Sequence, residues 1–112
     1  MGLRVKPGAE IKDLCMEIFY RLPEIKEIVE EEMGIQMTIT SGNDSHHEPR
    51  SGRPSLHYVN QAIDVRSRLE GPSYKQIPQK QKLACGARIR KLHTHLQVEV
   101  EYNHIHIEWD TE

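Results

Sequence analysis

Residues 96–109 read LQVEVEYNHIHIEW, and no other stretch limits the possible folds as strongly. Apolar and polar side chains alternate on both sides of Tyr102-Asn103, and successive side chains of a β-strand point to opposite faces. Two such runs joined by two residues, one an asparagine able to take positive φ, predict an antiparallel hairpin. Ile105, Ile107 and Trp109 then face a core, while His104, His106 and Glu108 share the other face. A two-residue turn sets Glu101 opposite His104 and Glu99 opposite His106, so two imidazoles and two carboxylates converge on one side.

The remaining chain supplies what covers the apolar side. From 9 to 33, Ile11, Leu14, Cys15, Ile18, Phe19 and Leu22 recur at three- and four-residue spacing, the period of an amphipathic helix. Pro23 separates this helix from a second helical stretch, and Gly34 suits its C-terminal cap. The run EEE at 30–32 reads as a solvated helix face. Residues 35–40, IQMTIT, alternate and are β-branched, which predicts a strand, and AIDVRS at 62–67 predicts another. Residues 79–92 predict a helix with Leu83, Ala84, Ala87 and Leu92 inward, weakened by Gly86. Between the first two strands, residues 41–55 hold almost no hydrophobic side chain and form a long loop, a length typical of functional or disordered segments. The expectation is an α+β domain over 1–112, helical over 1–34 and carrying its site in 35–112. Its small, mostly antiparallel sheet has helices packed on one face.

Composition removes several function classes. A chain of 112 residues is one domain able to bury a modest core. With 15 basic and 17 acidic residues and a net charge of -2, it has no excess positive charge for nucleic acid. No apolar run approaches the roughly 20 residues that span a bilayer, so no membrane partner is expected. The start, MGLRVKPGAEIKDL, lacks the apolar stretch of a secretory signal, so the chain is expected to be cytoplasmic as synthesised. Cys15 and Cys85 form neither a metal-type pair nor a disulfide framework and read as reduced packing residues. The histidines stand out: all seven lie between positions 46 and 106.

Asp64 poses the chemical question, because it interrupts an apolar strand run and a carboxylate buried there is costly unless paired or bound to a metal. Alone, it could pair with Arg66 or Arg90, and the histidine-rich hairpin face could be simply solvated. A catalytic zinc needs three nitrogen or oxygen ligands and an open position, and His57, Asp64 and His106 have the right types.

The segment SLHYVNQAIDV followed by HIH resembles the zinc D-alanyl-D-alanine carboxypeptidase family, which includes VanX- and VanY-type enzymes, several phage endolysins and the Hedgehog signalling domain. The family pattern Ser-x-His-x-x-Gly-x-Ala-x-Asp, then Glu, then His-x-His, is matched by Ser55, His57, Ala62, Asp64, Glu101, His104 and His106, with Asn60 in place of glycine. The resemblance implies a Hedgehog- or peptidase-like fold, with Zn2+ held by His57, Asp64 and His106. It further implies Glu101 as general base and His104 beside the metal, orienting water or substrate. His104 is the alternative third ligand, through Glu-x-x-His spacing, and Glu99 the reserve base. The family's oxyanion-stabilising arginine is not matched in SGND, which leaves Arg50, Arg53, His46 or His47 for that role. Asn43, Asp44 and Glu48 are candidate calcium ligands. The implied activity is a metallopeptidase, a monomer acting on cell-wall stem peptides, as carboxypeptidase or endopeptidase, reaching the wall by a route other than a signal peptide. A zinc-containing binding module without hydrolysis and a protein whose histidines bind nothing are the alternatives.

Overall fold

The computed structural model describes residues 2–12, 14–42 and 61–110. Eight elements follow in chain order: β1 (Arg4–Val5), α1 (Met16–Phe19), α2 (Leu22–Met33), β2 (Thr38–Ser41), β3 (Ala62–Arg66), α3 (Gln79–Arg90), β4 (Leu96–Val100) and β5 (His104–Trp109). The strands form one mixed sheet in the order β1-β2-β3-β5-β4. Only β1 and β2 run parallel; β2–β3, β3–β5 and β4–β5 are antiparallel. The α+β class and the largely antiparallel sheet agree with the sequence reading. No helix among the described residues is long and apolar enough to cross a membrane.

Alternation builds the sheet's apolar side as the hairpin predicted. Ile63 and Val65 of β3 pair with Ile107 and Ile105 of β5, and all four are fully buried. They join Ile18, Leu22, Ile25, Val29, Cys85 and Ile89 from the three helices in a single core cluster. Each fully buried side chain of this size stabilises the fold by about 1.5–3 kcal/mol. Every second residue of β3 and β5 therefore faces away from the helices.

Several local expectations are corrected. The first helix starts at Met16, not at 9, because Cys15 is extended with ψ 147. The preceding chain instead runs along the end of β2, where a Cβ on Gly42 would strike the Glu10 carbonyl. Lys6 N–H donates to the Ile39 carbonyl at 2.8 Å, which adds β1 to a region expected to be wholly helical. Leu14 still reaches the core, but Phe19 is exposed. Pro23 occupies the first turn of α2 rather than separating two helices, since its missing N–H costs nothing there. Gly34 caps α2 in the left-handed region at φ 67, as expected. The EEE run is not merely solvated: Glu31 and Glu32 each lie 3.1 Å from the Arg88 guanidinium on α3.

The phase of α3 differs as well. Lys82, Cys85, Gly86 and Ile89 are inward, while Leu83, Ala84 and Ala87 face out. Gly86 explains the rotation, because a Cβ there would lie 3.0 Å from Val100 Cγ2 and 3.4 Å from Val98 Cγ1. Glycine lets α3 press close against β4. Lys82 sits in the interface because its ammonium donates to the Tyr102 carbonyl at 2.8 Å, which lets the hydrocarbon stem pack. Burial raises the Cys85 thiol pKa to about 12, so it is an inert packing group; Cys15 is also a free thiol.

Candidate metal centre

Strand register places the candidate site. Asp64 pairs with His106, and His106 on its other side pairs with Glu99. One rung away, Arg66 pairs with His104, whose carbonyl accepts the Glu101 N–H at 2.9 Å. In the opposite direction Ala62 pairs with Glu108, and Glu108 with Gln97. Asp64, His104, His106, Glu108, Glu99 and Glu101 thus belong to the sheet face turned away from the helices, in the register predicted for the hairpin. On β2 a bulge between Ile39 and Ser41 brings Ser41 opposite Asp64. This arrangement explains the carboxylate within the apolar run: Ile63 and Val65 face the core, and Asp64 faces the imidazoles.

The contacts are short and directional. Asp64 Oδ1 lies 2.9 Å from His106 Nδ1 and 3.7 Å from His104 Nε2. His106 Nε2 lies 3.3 Å from Glu108 Oε1, so both nitrogens of this ring meet carboxylates and both carry protons. Burial opposes the charge on His106, but hydrogen bonds and charge from Asp64 and Glu108 outweigh it and raise its pKa to about 10. His104 Nδ1 is 2.7 Å from Asn103 Oδ1. An amide oxygen only accepts, so Nδ1 donates to it, and Nε2 faces Asp64.

A carboxylate and two imidazoles are the donor types that zinc takes. Donors about 2.0–2.2 Å from a tetrahedral zinc lie roughly 3.3–3.6 Å from one another. The separations of Asp64 Oδ1 from the two facing imidazole nitrogens, 2.9 and 3.7 Å, fall on either side of that range, and the shorter is a hydrogen bond. His106 also carries the orienting contact that metal-ligating histidines commonly have, a carboxylate on the far ring nitrogen. That carboxylate is Glu108. The hairpin alternation placed Glu108 on this face but gave it no role; the signal available was its i+2 position from His106.

The structure therefore brings together Asp64, His104 and His106, with Glu99 and Glu101 exposed on the neighbouring strand and its end. His57 and Arg50 lie outside the described residues, as do Arg53, His46, His47, Asn43, Asp44, Glu48, Ser55 and Asn60. Among the described residues no group of three or more His, Cys, Asp and Glu side chains could hold a metal ion. The described chain stops at Gly42, next to the Ser41–Asp64 pair, and resumes at Gln61, one residue before β3. Comparison with known proteins returns no matching family model, no matching curated protein and no matching solved structure.

Proposed function

We propose that this chain is a zinc-dependent peptidase that hydrolyses peptide bonds of peptidoglycan stem peptides, with His57, Asp64 and His106 as zinc ligands. One observation carries the reading: a single carboxylate oxygen, Asp64 Oδ1, faces imidazole nitrogens of His106 and His104 at 2.9 and 3.7 Å on a sheet face rich in carboxylates. His57 is four residues before Gln61, and an extended chain covers at most about 3.6 Å per residue. It is therefore within reach of the end of β3.

Zinc bound there would supply Lewis acidity, polarising a carbonyl and making water a stronger nucleophile near neutral pH. The chain's own residues do the rest. Asp64 contributes the anionic ligand. Glu108 holds the far nitrogen of His106 and so fixes which nitrogen faces the metal. Glu101, at the end of β4 opposite His104, is the base that accepts a proton from the attacking water, with Glu99 one rung away as the alternative. His104 turns its Nε2 toward Asp64, where it can orient water or the substrate carbonyl. In this reading the fold is Hedgehog- or D-Ala-D-Ala-peptidase-like, and Arg50 is the candidate oxyanion stabiliser.

The test measures bound zinc and the release of amino acids from purified muropeptides. Wild type is expected to hold one zinc and to release product. His57→Ala loses zinc, whereas Glu101→Gln keeps zinc and loses activity by about 10²–10⁴-fold. Purified wild type without stoichiometric zinc overturns the proposal. Zinc retained without hydrolysis of any muropeptide leaves a binding module in place of an enzyme.

A further inference from the structure

On the sheet face opposite the candidate metal centre, β5 ends in Trp109, the single tryptophan of the chain, only 8% exposed. The loop between α3 and β4 brings two imidazoles against its ring, His93 at 4.5 Å and His95 at 5.4 Å between ring centres. The two imidazoles also stack on each other at 5.2 Å. The joint between α1 and α2 brings a third group, the Arg21 guanidinium, 5.0 Å from the centre of the indole. The backbone around this cluster is tied by bonds of its own. Leu96 N–H donates to the His93 carbonyl at 3.1 Å, Asp110 N–H to the His95 carbonyl at 2.9 Å, and Trp109 N–H to the Gln61 carbonyl at 2.9 Å.

One hydrogen bond decides how this cluster responds to acid. His95 N–H donates to His93 Nδ1 at 3.0 Å, and a backbone N–H only donates. His93 Nδ1 therefore carries no proton, and the neutral ring holds its proton on Nε2. The one nitrogen left to take a second proton is the one that faces the His95 N–H. Protonation turns this acceptor into a donor set against a donor, so the bond is lost and the ring is driven from its place. An imidazolium is drawn to an indole face, but the Arg21 guanidinium already stands over this one, and two cations would then share a single ring. Among the described residues, the α1–α2 joint presents Arg21 to His93, its own loop presents His95, and β5 presents the uncharged indole. Burial first, then Arg21 and His95, hold the His93 pKa below its ordinary value.

We propose that His93 is an acid-operated latch over Trp109: a proton from solvent, taken on Nδ1, releases the His95 N–H and swings the imidazole off the indole, opening that ring to water. The movement is confined to side chains, because the backbone bonds that tie His93, His95 and Trp109 join amides and carbonyls, which do not titrate in this range. Loss of the proton restores the acceptor and closes the latch. The switching range lies just below neutrality, where histidine is the ordinary side chain that changes charge. The latch stands on the face away from the candidate metal centre and is independent of the peptidase reading.

The experiment is a pH titration of the full-length protein followed by tryptophan fluorescence, which reports Trp109 alone. As pH falls, wild type is expected to shift its emission to longer wavelength and to become more open to quenching by acrylamide. Both changes follow one single-proton step with a midpoint below about 6.5, while far-ultraviolet circular dichroism stays constant. In His93→Gln, whose amide oxygen can accept the same N–H but takes no proton, the step disappears. Arg21→Gln keeps the step and moves its midpoint upward, because a cation that opposes the proton is gone. A step that survives in His93→Gln, or equal acrylamide quenching at both ends of the titration, overturns the latch. Loss of circular dichroism with the same midpoint overturns it too, since the change would then be unfolding of the whole chain. A midpoint left unmoved by Arg21→Gln overturns it as well.

Discussion

The chain contains two His-x-His pairs, and they have become chemically different objects. His104 and His106 sit on β5 with Asp64 and Glu108 against their rings. His93 and His95 lie between α3 and β4, their rings stacked at 5.2 Å, with the Trp109 ring 4.5 Å from His93 and 5.4 Å from His95. The Arg21 guanidinium lies 5.0 Å from the centre of that indole. One pair meets anions, the other an aromatic ring and a cation. His93 Nδ1 is already used, accepting the His95 N–H at 3.0 Å. Burial, Arg21 and His95 hold the His93 pKa below its ordinary value, whereas carboxylates raise that of His106 to about 10. Identical spacing therefore carries no chemistry by itself; the groups on the neighbouring strand decide it.

The contrast can be broken most severely at Asp64. Asp64→Ala strips the strand pair of its shared anion and leaves His106 enclosed. Zinc binding should be lost, and the metal-free protein should lose about 3–5 kcal/mol in urea unfolding, the scale for breaking a buried charged pair. Retention of zinc by this variant would show that the metal is held elsewhere. Glu108→Gln is milder: it keeps the first ligands but weakens the hold on His106, and zinc affinity measured by competition with a chromophoric chelator should drop about 10–100-fold.

A difference of sign with pH is expected in chelated, metal-free protein. His106 has a folded pKa of about 10, above its unfolded value near 6.5. Its contribution is complete below about pH 6.5 and is lost as pH rises toward 10, because the unfolded chain releases its proton first. His93, with a lowered folded pKa, contributes fully above about 6.5 and loses stability as pH falls, since the unfolded chain takes the proton first. Urea midpoints across this range should fall at the alkaline end in wild type and not in His106→Gln. His93→Gln should remove only a shallow loss at the acid end and leave zinc stoichiometry unchanged.

What the sequence made legible follows from period. Strict alternation over 104–109 determines both faces of β5, and a two-residue turn determines the register with β4, so Glu99 and Glu101 were placed correctly. Asp64 between Ile63 and Val65 announced a strand facing two ways. The phase of α3 was not legible, because Leu83 looks like core while Lys82 and Gly86 look like surface. Only the closeness of β4 to Gly86 and the Tyr102 carbonyl above Lys82 reverse that. The two residues of β1 were hidden because their pairing depends on β2, more than thirty positions later. Arg66 read as a possible partner for Asp64; its place opposite His104 and 3.9 Å from Glu70 became visible only once the strands were aligned.

The sheet order has a kinetic consequence. Strand β5 lies between its hairpin partner β4 and β3, so the pairing that creates the Asp64–His106 contact is also the one that joins the sheet's two halves. The hairpin is local and can close early, but the contact with β3 spans 42 residues and awaits the costlier closure of a long chain segment. A cation seated between these strands would therefore act as a late clasp, slowing escape from the native state far more than it hastens arrival there.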